Sequence, residues 1–137
     1  MLYSKLYEHF YSLRLKIANT FSDFFGLRIN FVYLSAVFLL QLASWWLSYY
    51  IYKNLTGSLL VLHYNVDFGI DWIGDLNSIF YFPLLGVLFL ILSVVLLFIF
   101  GTGRHFRFQS NLLMMSAVLA NFGMFIALVL VYLINFR

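Results

Sequence analysis

IFYFPLLGVLFLILSVVLLFIF, residues 79–100, carries no charged side chain. It is long enough to cross a hydrocarbon layer of about 30 Å as a helix, which takes about 20 residues. Two further stretches, Phe31 to Tyr52 and Leu112 to Phe136, are equally free of charge, so three transmembrane helices are expected over about 31–52, 79–100 and 112–136. The composition agrees: 64% of residues are hydrophobic, 22% aromatic and 9% charged, where soluble domains carry about 25% charged residues. With a mean hydropathy of +0.96, a single water-soluble core is excluded. The apolar residues come in long blocks and not in the alternating segments of a membrane barrel. The expected fold class is an all-α membrane protein with two parts, a cytoplasmic amphipathic interfacial helix at 1–28 and a three-span membrane domain at 29–137. A short strand-like outward loop joins spans one and two.

Charge placement sets the expected orientation. Lys5, Arg14, Lys16 and Arg28 precede the first span, and Arg104 and Arg107 separate the second from the third. The loop between spans one and two instead holds Asp67, Asp71 and Asp75 beyond Lys53. By the positive-inside rule the N-terminus is cytoplasmic and the loop and C-terminus face outward. Trp45, Trp46, Tyr49, Tyr50 and Tyr52 end the first span, Phe80 and Tyr81 begin the second, and Tyr132 lies near the end of the third. Such clusters mark a membrane interface. The first span lies too deep in the chain for a cleavable signal and reads as an anchor. The net charge of +3 is spread along the edges of the apolar blocks, which argues against nucleic acid as a partner.

Before the first span, Leu2, Leu6, Phe10, Leu13, Ile17, Phe21 and Phe24 recur at steps of three or four, while Lys5, Glu8, His9, Ser12, Lys16, Asn19 and Asp23 take the other face. This is the pattern of a helix lying in the cytoplasmic interface, its cations toward anionic lipid. The same stripe also suits docking on a partner protein. Within the spans no ionisable group sits at mid-depth, as an ion carrier would require. The mid-span polar residues are Gln41 and Asn121, expected to meet as a helix-packing pair. Ser116, Ala120, Gly123 and Ala127 are expected to form a close-packing face beside Asn121. Pro83 suits the first turn of its helix.

The chemically richest stretch is LVLHYNVDFGIDWIG, residues 60–74. Leu60, Leu62, Tyr64, Val66 and Phe68 alternate with Val61, His63, Asn65 and Asp67, which predicts a half-buried strand with His63, Asn65 and Asp67 on one face. Gly69 and Gly74 can take positive φ, and Asp71 and Asp75 suit side-chain-to-backbone turns, so a compact turn is expected to follow. One histidine with few carboxylates makes a poor zinc or calcium site, and no serine or lysine completes a catalytic set. No metal, cofactor or catalytic residue is assigned. His63, Asn65, Asp67, Gly69, Asp71 and Gly74 remain as either a recognition surface or a hydrogen-bonded structural turn.

The string His63-Tyr64-Asn65, then Gly69, Asp71, Gly74 and Pro83-Leu84-Leu85-Gly86 resembles the signature of a bacterial family of small membrane domains of unknown function. That domain is found at the front of SdpI-type peptide-toxin immunity proteins. The family pattern is His-x-Asn-x-x-Gly-x-x-Asp-x-x-Gly followed by a span opening with Pro-Leu. Here the gap from Asn65 to Gly69 is one residue longer and the gap from Gly69 to Asp71 one shorter. The resemblance covers about residues 31–100 and implies a bacterial plasma (inner) membrane and an immunity-like or signalling-like role without catalysis. The expected function is therefore a non-enzymatic recognition module working through its outward loop, with the lipid bilayer and a membrane-protein partner or a second copy as the expected neighbours. The alternatives are an accessory subunit of a transporter or secretion complex and, more remotely, an envelope-lipid enzyme.

Overall fold

The structure, a computed structural model, describes residues 2–65, 67, 69–101 and 105–136, the side chains of 2–5, 64, 65, 70 and 71 excepted. Helix α1 spans Leu2–Gly26 and α2 spans Arg28–Asn54. A hairpin of β1 (Leu59–Asn65) and β2 (Gly69–Asp75) follows, then a 3-10 segment at Leu76–Phe80. Helices α3 (Tyr81–Phe100) and α4 (Phe106–Asn135) complete the chain. Three helical stretches, Arg28–Asn54, Leu76–Phe100 and Phe106–Asn135, are long and apolar enough to cross a membrane. The third begins earlier than the charge-free window predicts and takes in Arg107. An exposed arginine at a helix end can extend its guanidinium away from the apolar layer.

Helix α4 is the centre of the bundle, packed along both α2 and α3, which touch each other far less. Its buried residues are Phe106, Ser110, Met114, Ala117, Asn121, Leu128 and Val131. From Ser110 onward they step by three, four or seven, the repeat that holds one seam toward a neighbouring helix. On α2 the buried set is Asn30, Val37, Ser44, Ser48 and Ile51, and on α3 it is Pro83, Gly86, Ser93 and Leu97. Most of these side chains are small, which lets the backbones approach closely.

The expected close-packing face on α4 is a correction. Ser116 and Gly123 are exposed, Ala120 and Ala127 are only half-buried, and nothing lies within 4 Å of the point where a Gly123 Cβ would stand. The reason is helical phase: at 100° per residue, positions four and seven from Asn121 share its side, whereas 116, 120, 123 and 127 point well away. Ala117 and Met114 are the buried residues on the side of Asn121.

Leu27 is extended (φ −91°, ψ 107°) between α1 and α2 and lets the chain turn. Asn30 Nδ2 donates to Phe24 O at 2.8 Å, satisfying a carbonyl of the last turn of α1. Ser110 Oγ on α4 donates to Asn30 Oδ1 at 2.9 Å, so one buried amide joins three helices. Phe24 packs with Leu97, Phe106 and Met114 at this end of the bundle. Further along α1, Lys16 Nζ donates to Ile99 O in the last turn of α3 at 2.7 Å, where the helix dipole favours a cation. The amphipathic helix is thereby held at the level where α3 ends.

Candidate functional site

At the opposite end, Ile51, Ile79, Leu128 and Val131 from α2, the 3-10 segment and α4 form a core into which Leu60 of β1 inserts, fully buried. Leu62, Leu76, Phe80 and Tyr132 pack around it. The hairpin is thus seated on the bundle through its leucines, and its base is closed by Leu76 N–H donating to Ser58 O at 3.1 Å. Asn135, at the end of α4, supplies a second attachment. Its Oδ1 accepts from Val61 N–H at 3.0 Å and its Nδ2 donates to Val61 O at 2.8 Å. A side-chain amide here imitates a neighbouring strand, and β1 is held on both edges.

The local structure differs from the expected strand and turn. Residues 69–75, read from their glycines and aspartates as a turn, form the second strand, paired antiparallel with β1. Asp71 and Gly74 therefore belong to β2. The reversal lies between Asn65 and Gly69, which face each other at the tip. Gly69 takes φ +79°, as expected, and it is the positive-φ glycine among the described residues. Gly74 is needed for a different reason: a Cβ there would press on Leu62 Cδ1 and Ser78 Oγ, so its missing side chain lets Leu62 cross the sheet. Strict alternation fails as well. The register slips between Val61 and His63 and again between His63 and Tyr64, placing Leu62 on β1 and Asp71 on β2 as the extra residues of two bulges.

Of the predicted row, His63 and Asp67 are exposed, and each makes an interaction within the chain. Val66, Phe68 and Arg104 lie outside the described residues, as do the side chains of Asn65 and Asp71. Beside His63 the hairpin presents Trp72, 65% exposed, with Ile73 and Leu59. His63 and Trp72 are cross-strand partners, so a donor-acceptor ring and a large aromatic stand side by side on the surface. Sequence reasoning passed over Trp72 and Asn135, although Asn135 is a lone polar residue in the last turn of an apolar helix. Among the described residues no three His, Asp or Glu side chains gather where they could hold a metal ion. Aromatics ring the platform: Tyr132 and Phe136 at 4.9 Å, Tyr52 and Phe80 at 5.5 Å, and Trp45 and Phe80 at 6.0 Å between ring centres.

Inside the bundle, Gln41 Nε2 donates to Asn121 Oδ1 at 2.6 Å and to Pro83 O at 3.2 Å. Asn121 Nδ2 donates to Gly86 O at 3.1 Å and Ala117 O at 2.8 Å. The sequence-predicted pair is therefore part of a three-helix polar junction, which the backbone carbonyls of Pro83 and Gly86 join, a contact the sequence did not foretell. Compared with protein families, with curated proteins and with solved structures, the chain matches none. Function has to be argued from the chemistry of its own surfaces.

Proposed function

We propose that this chain is a multi-pass membrane protein of the bacterial plasma membrane, N-terminus inside, that acts as a non-enzymatic recognition module through its outward hairpin. The observation that carries the reading is the double seating of the hairpin, by buried Leu60 below and by the Asn135 amide on its edge. A loop serving only as a connector needs neither attachment; a surface that must hold its shape for a partner needs both. His63, Asp67 and Trp72 are the residues it offers, and the resemblance of its motif to immunity-associated membrane domains points to an immunity-like or signalling-like role. A second reading, an accessory subunit of a larger membrane complex, is favoured by one feature: the small-residue side of α4 at Ser116 and Gly123 is uncovered.

Two measurements test the first reading. The chain has no cysteine, so single cysteines at exposed Ser12, Ser58 and Phe108 report sidedness directly. Ser58 is expected to react with an impermeant thiol reagent in intact cells, with Ser12 and Phe108 protected; the reverse pattern would put the hairpin in the cytoplasm. His63→Ala, Asp67→Ala and Trp72→Ala are then compared with wild type for membrane abundance, melting and complementation of a deletion strain. Lost complementation at normal abundance and melting supports recognition. Lost complementation that tracks lost melting would return the hairpin to a structural part.

A further inference from the structure

Where α1 crosses the end of α3, the two helices leave an apolar groove of about 530 Å³ lined by Leu13, Lys16, Ile17, Val95, Phe98 and Ile99. On the other side of the Leu13 and Ile17 ridge lies a second apolar concavity, which Arg14 borders. Lys16 and Arg14 thus flank the apolar face of α1, and both are exposed. The Lys16 ammonium uses one of its three donors on Ile99 O, leaving two free in direction for another acceptor. The acidic residues of α1, Glu8 and Asp23, line neither concavity. An apolar trough ending in fixed positive charge complements one kind of molecule: an amphiphile with a hydrocarbon chain and an anionic head.

We propose that this groove is a binding site for a single anionic phospholipid, its acyl chain lying along Leu13, Ile17, Val95 and Phe98 and its phosphate meeting Lys16. The proposal rests on the membrane placement argued above. It goes beyond general attraction of an interfacial helix to charged lipid, because the trough exists only where α1 and α3 meet and Lys16 is held there by Ile99. A bound lipid would also fill the gap beneath α1 and fasten the helix to the bundle.

The full chain, reconstituted into nanodiscs of phosphatidylcholine mixed with phosphatidylglycerol and released for native mass spectrometry, is expected to retain one phosphatidylglycerol in preference to phosphatidylcholine. Val95→Phe, which fills the trough and keeps both cations, is expected to lose that lipid; Lys16→Gln is expected to lose the preference and Lys16→Arg to keep it. Arg28→Gln, which removes a charge outside both concavities, is expected to change nothing. Equal retention of the two lipids would overturn the proposal. So would retention insensitive to Val95→Phe, or a loss in Arg28→Gln as large as in Lys16→Gln. Failure of the chain to enter nanodiscs at all would instead overturn the membrane placement and is read separately.

Discussion

Asn121 satisfies its whole amide: both N–H bonds go to backbone carbonyls, one on α3 and one on its own helix, and its oxygen accepts from Gln41. Gln41 is less complete, since its Oε1 is buried with no partner. The asymmetry makes the two truncations unequal. Gln41→Leu orphans the Asn121 oxygen, whereas Asn121→Leu leaves Gln41 Nε2 its bond to Pro83 O. A double-mutant cycle read by thermal melting in mild detergent is expected to show coupling of about 0.6 kcal/mol and at most near 1.7 kcal/mol; additive losses would mean that the bond contributes nothing. Gly86→Ala is a sharper probe, because its Cβ would collide with both Gln41 Nε2 and Asn121 Oδ1. Overpacking of this kind costs about 1–3 kcal/mol, and an unchanged melting temperature would show that the junction can open without loss. That Gln41 and Asn121 would meet was legible from their equal depth in two spans. Gly86 was not, since its importance lies in how closely other helices approach it.

The hairpin shows why an element can hide in a sequence. β1 announced itself by alternation, but GIDWIGD has two glycines and two aspartates, residues poor in strands and common in turns. What makes it a strand is supplied from outside the segment: pairing with β1, the Leu62 side chain over Gly74 and the closure of Leu76 onto Ser58. The three long helices needed no such help, because charge-free length alone specifies them, and only their ends moved. Asn135→Leu tests the outside support. It removes the amide from Val61 while adding an apolar side chain to an apolar helix end, and each polar group left unpaired there costs about 1–3 kcal/mol. Hydrogen exchange at the Val61 amide is expected to accelerate strongly, with amides of α3 unchanged. Exchange that stays slow at Val61 would show that Leu60 alone seats the hairpin.

At the scale of the whole molecule, α4 divides the chain's surface into two kinds of side. One is consumed by α2 and α3 through Ser110, Met114, Ala117, Asn121, Leu128 and Val131. The other carries Ser116 and Gly123, with no neighbour near Gly123. Gly123→Leu therefore separates a self-sufficient module from a subunit of something larger. In the isolated chain the substitution meets open space and removes a glycine from a helix interior, where glycine is about 1 kcal/mol worse than alanine, so melting is expected to hold or rise. In native membranes a module acting alone keeps its abundance and its complementation with leucine at this position. A chain whose α4 is covered by a partner loses both there while its purified form still melts normally, because leucine would hold apart two helices that small residues allow to touch. The same comparison made with Ala117→Leu, on the side already filled, is expected to lower melting in the isolated chain as well. That contrast distinguishes an uncovered surface from a merely tolerant helix.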